Sequence, residues 1–328
     1  MPLKIIREDI TRVHADAIVN TANPRPVIGR GTDMAVYLAA GAEDMLAERK
    51  KIGDIPPGQA AATGAYRLNA RYVIHTVGPE WRGGGYRERE TLGECYARSL
   101  ALAHSLKCKI AAFPLISAGI YGFPKDEALS VAFSEIGRFL LNHEMTVILA
   151  VFDRDAFEMS GRLFTDLEDL IGGREAAVRP VKETAGMLPG GARKAAPPPA
   201  GQSTAPFAAL EEALGAKEDS FAQRLFRLID ERGLDDVTVY KRANIDRKLF
   251  SGIRCKKNYH PKKKTAVALA IALELSLDET ADLLARAGYA LSPTDRFDVI
   301  VSYFISRRYY GIWEINATLF RYGEQTLD

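Results

Sequence analysis

The chain has 328 residues, 47% hydrophobic and 26% charged, a balance that supports globular cores and excludes both a disulfide-stapled miniprotein and a wholly disordered chain. A formal net charge of +2 conceals a polarised distribution, and Cys95, Cys108 and Cys255 are too scattered for a disulfide framework or a cysteine-rich zinc site, so they are expected as buried apolar side chains. No apolar run approaches the roughly 20 residues that cross a bilayer, and MPLKIIREDI lacks the order of a signal peptide, so a cytoplasmic protein without membrane contact is expected.

From the N-terminus, LKIIRE, DAIVN, YVIHTVG, IAAFPLI and TVILAVF are β-branched or aromatic-rich runs of strand length bounded by turn formers. Between and after them, residues 31–50, 90–107, 125–143 and 155–171 carry helical spacing, as in Leu129, Ala132, Phe133, Ile136 and Leu140. This alternation predicts an α/β layered fold with a largely parallel sheet, whose ligands sit at the carboxyl ends of the strands. The first domain spans residues 1–171. Residues 172–215, rich in Pro, Gly and Ala, bury too little apolar surface to offset their ordering entropy and read as a semi-stiff linker. Residues 216–328 hold consecutive helical segments with almost no strand signal, which predicts a small all-α domain with an independent core, closed by its aromatic final helices. Candidate N-caps there are Asp246, Ser276 or Asp278, and a residue between Ser292 and Asp295, with Gly288 as a stop.

Two loops at strand ends carry the chemistry. In DAIVNTANPRPVIGRGTDMAVYLAAG a strand ends in Asn20 and Asn23, a loop with Gly29 and Gly31 follows, and a helix opens with Asp33 in its early turn. Glycines permit close backbone approach and a helix start presents unpaired N–H donors, so the segment suits a polyanion. Asn23 offers donor and acceptor to sugar hydroxyls, and Asp33 an orienting or general-base carboxylate; the same residue types also serve as turn and helix caps. In FPLISAGIYGFP an apolar strand opens into Ser117, Ala118, Gly119, Ile120 and Tyr121. Such a loop can fold its amides around a diphosphate, although ordinary turn chemistry is the competing reading, and it matches neither a Walker loop nor a dinucleotide fingerprint. His75, in an apolar strand, reads as a hydrogen-bonded core residue rather than a base.

With EDIT at 8–11 and HTVGP at 75–79, the order and spacing of these segments make residues 1–171 resemble the macrodomain family, ADP-ribose-binding modules of three-layer α/β/α architecture with a mixed, largely parallel sheet. The resemblance implies that Asp9 accepts from the adenine amino group beside the Ile10 backbone, that Phe152 packs on the adenine face, and that Ser117 to Tyr121 cradle the diphosphate. Asn20, Gly29 and Gly31 are expected to complete the ligand shell, and the resemblance further implies that Asn23 holds the distal ribose and Asp33 aligns or activates a water near its anomeric carbon, as in MacroD-type hydrolases. The sequence departs from the family at Glu8, where a glycine is usual, and at PRPVIGRGTD, where those hydrolases carry a polyglycine run. No cofactor and no metal is implied. The implied activity is hydrolysis of mono-ADP-ribose from a modified acceptor, or of O-acyl-ADP-ribose; the alternative is a non-catalytic ADP-ribose reader coupled to the C-terminal region.

Between Val237 and Lys264 the chain gathers Lys241, Arg242, Arg247, Lys248, Arg254 and further lysines, with Asp246 as the only acid. VYKRANIDRKLFSGIR divides into two short helices around residues 243–246 and resembles the helix-turn-helix of the phage-repressor (Cro/C1-like) family over about residues 220–290. That resemblance implies DNA as a partner, with Arg247, Lys248, Ser251 and Arg254 on the recognition helix. A solvated basic face or a protein-docking surface is the plainer reading of the same charges.

Overall fold

The computed structural model describes residues 2–151, 219–256 and 259–327. The N-terminal part contains β1 (Leu3–Ile6), a 3-10 turn (Ile10–Arg12), β2 (Ala17–Thr21), α1 (Thr32–Ala40), α2 (Ala42–Ile52), β3 (Ala60–Gly64), β4 (Tyr72–Thr76), α3 (Glu88–Ser105), β5 (Ile110–Pro114), α4 (Lys125–Asn142) and β6 (Thr146–Ala150). The strand order is β1-β6-β5-β2-β4-β3, parallel throughout except for β3, which runs antiparallel to β4. Because successive strand residues face opposite sides, Ile18 and Val73 pack with Val36, Tyr37 and Met45 of α1 and α2. Val19 and Ile74 pack with Leu92, Tyr96 and Ile136 of α3 and α4. The result is three layers, α/β/α, with the sheet buried on both faces.

Two elements differ from the sequence pattern. The helix expected over 31–50 breaks at Gly41, whose φ of 105° suits no other residue type well, into α1 and α2. Strand β3 was not expected: AAATG offers Thr63 as its one β-branched residue, so pairing with β4 rather than propensity makes it a strand. The helix expected over 155–171, the linker over 172–215 and Phe152 lie outside the described residues.

The C-terminal part consists of α5 (Phe221–Glu231), α6 (Asp236–Arg242), α7 (Arg247–Cys255), α8 (Lys263–Ala272), α9 (Leu277–Ala285), α10 (Arg296–Ser306) and α11 (Ile312–Arg321). Ser276 caps α9 through a reciprocal box with Glu279; Asp246 caps α7 and Asp295 caps α10. Leu225, Leu269, Leu284 and Phe304 centre the core of this part.

The two cores are not independent, which corrects the expectation. Ala317 of α11 is buried in the α/β core, with Trp313 and Phe320 packed against it. Asn244, in the turn between α6 and α7 with φ 55°, accepts from the Leu3 N–H and donates to the Leu3 carbonyl, both at 2.8 Å. Its amide thus completes the open edge of β1 as a neighbouring strand would. Cys95 and Cys108 are buried as expected, but Cys255, at the end of α7, is exposed. Among the described residues no helix is long and apolar enough to cross a membrane.

Candidate functional site

Strands β2 and β5 are neighbours in the middle of the sheet, so the loops that follow them emerge side by side although far apart in sequence. Together they line a cavity of about 590 Å3 that includes Asn23, Gly29, Gly31, Asp33, Ser117, Gly119, Ile120 and Tyr121. A second cavity, of about 320 Å3, is lined by Asp9, Ile10, Ala118 and Val151 and shares Thr32, Leu115 and Gly119 with the first. The two adjoin as one elongated cleft. Arg30, one of the departures from the family pattern, is exposed and lines the larger cavity.

Asp33 is almost wholly buried at the floor of the larger cavity. Its Oδ1 accepts from Asn20 Nδ2 at 2.6 Å and its Oδ2 from the Gly29 N–H at 2.5 Å. Burial raises its pKa above the usual aspartate value, while the Gly29 amide, the Asn20 amide and the Arg49 charge pull the other way. Gly29 is required by this closeness: a Cβ there would lie 2.7 Å from Asn23 Nδ2 and 3.0 Å from Asp33 Oδ2. Asn23 itself is half-buried beside the carboxylate and holds its loop through a 3.4 Å bond from Nδ2 to the Val27 carbonyl. Asn20 differs from expectation. It is wholly buried behind Asp33, does not line the cleft, and also contacts His75 Nδ1 at 3.2 Å. His75 is a buried core residue that burial holds neutral, its pKa lowered from 6.5 to about 3.

One contributor carried no sequence signal. Arg49 of α2, 1% exposed, donates to the carbonyls of Gly53, Asn23 and Pro24, the last two at 3.3 and 3.2 Å. A buried guanidinium thereby clamps the loop between β2 and α1 and places positive charge near Asp33.

The loop after β5 turns through Ser117, whose φ of 63° is unusual for a residue with a Cβ. Gly78 makes room for it, since a Cβ at that position would collide with Ser117 Oγ. The loop folds on itself through Gly122 N–H to Gly119 O at 2.9 Å and Phe123 N–H to Ser117 O at 3.1 Å, and it holds Trp81 N–H through Tyr121 O at 2.9 Å. Among the described residues, the N–H groups from Ala118 to Tyr121 donate to no protein acceptor. These are the donors a phosphate needs. Helix α1 adds a second set: Gly31 caps it without a side-chain bond, and Thr32, Asp33 and Met34 line the same cavity.

At the other end, Asp9 lines the smaller cavity while its Oδ1 accepts from Thr11 N at 2.9 Å and Thr11 Oγ1 at 2.8 Å, capping the 3-10 turn. One carboxylate oxygen cannot serve both turn and ligand fully, but Oδ2 is left by these bonds.

The basic stripe does not gather into one patch. Lys241 Nζ donates to the Leu141 carbonyl at 2.5 Å across the contact between the two parts. Arg242 pairs with Glu274 at 3.5 Å, and Arg254 pairs with Asp236 at 2.5 Å while lying 4.2 Å over the Phe226 ring. Lys263, further along, neutralises the buried Asp298 at 2.6 Å. Arg247, Lys248 and Ser251 are exposed on α7, opposite buried Phe250 and Ile253.

The Macro domain family model matches residues 19–132. A Macro domain-containing protein of Methanosarcina mazei is 44% identical over 156 residues, covering 47% of this chain and 83% of the relative. The O-acetyl-ADP-ribose deacetylase of Citrobacter rodentium is 40% identical over 172 residues, covering 51% of this chain and 97% of that protein. Among solved structures, the Oceanobacillus iheyensis macrodomain with ADP is 31% identical, with a TM-score of 0.46 over 52% of this chain and 92% of that one. Through the α/β part that builds this cleft, the chain belongs to the macrodomain family.

Proposed function

We propose that the cleft binds ADP-ribose and hydrolyses the bond between its distal ribose and an acceptor, either an O-acyl group or a mono-ADP-ribosylated macromolecule. The observation that carries this reading is the Asp33 carboxylate, buried at the floor of the larger cavity and held there by two directed donors next to Asn23. The 40% identity to an O-acetyl-ADP-ribose deacetylase supports the same chemistry. Adenine occupies the smaller cavity at Asp9 and Ile10, the diphosphate takes the free amides of residues 118–121 and the start of α1, and the distal ribose reaches Asn23. With Oδ1 and Oδ2 each accepting one bond, their remaining lone pairs orient a water. At a link to a macromolecule the water oxygen attacks the anomeric carbon as its bond to the acceptor breaks; at an O-acyl link it attacks the acyl carbonyl carbon, and the ester bond to the ribose oxygen breaks. In either case one water proton passes to the carboxylate and is returned to the leaving group. Positioning is the main contribution, worth roughly 7–11 kcal/mol at best. Calorimetry with free ADP-ribose, run beside an assay for ADP-ribose released from O-acetyl-ADP-ribose and from mono-ADP-ribosylated protein, tests the reading. Heat with release is expected; heat without release reduces the site to a reader, and absence of both overturns it.

For the helical part we propose a helix-turn-helix-like unit that contacts duplex DNA through α7. The supporting observation is the exposed face of Arg247, Lys248 and Ser251 over buried Phe250 and Ile253. DNA retention that weakens steeply with salt is expected, and retention absent at low salt overturns it.

A further inference from the structure

The polar residues beneath the cleft form a line of hydrogen bonds whose directions can be deduced. Asn20 Nδ2 can only donate, so His75 Nδ1, 3.2 Å away, must accept, and His75 Nε2, 2.9 Å from Thr63 Oγ1, is left to donate to that hydroxyl, whose own proton has the Gly64 carbonyl 3.1 Å away. The imidazole proton therefore sits on Nε2, and the bare Nδ1 accepts from Asn20 Nδ2. That nitrogen spends its other proton on Asp33 Oδ1. Asn20 and His75 are register partners across β2 and β4, and Thr63 lies on β3, so three adjacent strands carry the line. Asn20 Oδ1 is buried and has no hydrogen-bond partner among the described residues. A side chain free to choose would not leave that acceptor orphaned; its neighbours impose the orientation. The opposite imidazole tautomer would turn the Asn20 oxygen toward both His75 and Asp33, where it would repel an ionised carboxylate.

We propose that His75 is a positioning residue, which through Asn20 keeps a donor rather than an acceptor against Asp33 and so holds the carboxylate ionised and aligned for its water. This rests on the hydrolase reading above. Neutral His75 suits the task, because an imidazolium would offer Nδ1–H to Asn20 and reverse the line. The other groups facing Asp33 are the Gly29 amide, Arg49 on α2, Tyr37 on its own helix and Tyr121 across the cleft; Asp54 stands near Arg49 and Glu80 near Tyr121.

The test uses the full chain with O-acetyl-ADP-ribose as substrate, comparing His75→Asn with His75→Gln. Asparagine can place Oδ1 where Nδ1 stood and accept from Asn20; glutamine reaches Thr63 but leaves that acceptor position empty. Expected for His75→Gln are a kcat lower by about 10- to 100-fold, an acidic limb of kcat moved to higher pH, and unchanged ADP-ribose affinity by calorimetry. His75→Asn should recover most of kcat. Wild-type kcat and limb in His75→Gln overturn the proposal, as does parallel loss of kcat and ligand affinity in both variants. Where replacing the imidazole prevents folding, Thr63→Val removes only the outer anchor and should shift kcat in the same direction. Nitrogen-15 NMR of His75 should report the Nε2–H tautomer at neutral pH; the Nδ1–H tautomer overturns the proposal. The tautomer reading needs no turnover, so a wild-type chain that binds ADP-ribose without releasing product removes the hydrolase reading by itself and is recognised separately.

Discussion

At the floor of the cleft charge is scarce, buried and held by directed donors; along α6 and α7 it is plentiful, exposed and largely paired off within the chain. The difference follows from surroundings. Around Asp33 little water competes, so each donor changes the cost of ionising the carboxylate appreciably. On α7 an exposed pair such as Arg254 with Asp236 is screened and stabilises by roughly 0–1 kcal/mol. A cluster of charges along the sequence is therefore a weaker guide to a site than one carboxylate that the fold has taken out of solvent.

The contrast breaks most directly at Asp33. Asp33→Ala should lower kcat by about 10²- to 10⁴-fold while leaving ADP-ribose binding within a few-fold, measured by product release and calorimetry. In the wild type, kcat should rise with pH along a limb above the usual aspartate range, since burial dominates the shift. Histidine protonation should add no limb of its own near neutrality from His75, whose pKa is about 3. Stability carries the opposite emphasis. The unfolded chain protonates His75 near 6.5 and the folded chain only near 3, so its contribution is complete above pH 6.5 and is lost as pH falls through that window. The loss is about 1.4 kcal/mol per pH unit at most, and His75→Asn should flatten the corresponding decline in melting temperature.

Why Asp33 was legible and its supports were not is a matter of where each lies along the chain. Asn23, Gly29 and Asp33 sit in one strand-loop-helix segment, and local rules tie such a segment to a ligand-binding edge. Ser117 to Tyr121 are legible for the same reason. The period-2 pattern of β2 does carry a signal about Asn20: it shares a face with Ile18, which packs under α1 and α2, and so belongs beneath Asp33 rather than in the cleft. Arg49 lies within AERKKI, where nothing distinguishes the one cation that turns inward from its solvated neighbours. Thr63 lies in a strand that exists through pairing alone. Likewise, no local feature of Lys241 announces that the Leu141 carbonyl will receive it.

The contact between the two parts gives an intermediate effect. Leu3 is buried, and Asn244 satisfies both of its backbone polar groups. Asn244→Ala leaves an N–H and a C=O unpaired and should destabilise the chain by about 1–3 kcal/mol, read from urea unfolding. Asn244→Gly relieves the left-handed backbone yet loses the same bonds, so it should recover only part of that loss.

The smallest effects belong to the stripe, and they divide it. Arg247 and Lys248 are exposed on α7 and take part in no described ion pair, whereas Arg242 faces Glu274 at 3.5 Å. If α7 meets duplex DNA, each exposed cation that reaches a phosphate contributes about 0.9 to the slope of log affinity against log salt. Arg247→Ala and Lys248→Ala should each flatten that slope by about this amount, while Arg242→Ala, whose partner already neutralises it, should leave it nearly unchanged. An equal change in all three would mean that the binding follows net charge rather than the face of α7, and the distinction drawn between paired and exposed cations would fail there.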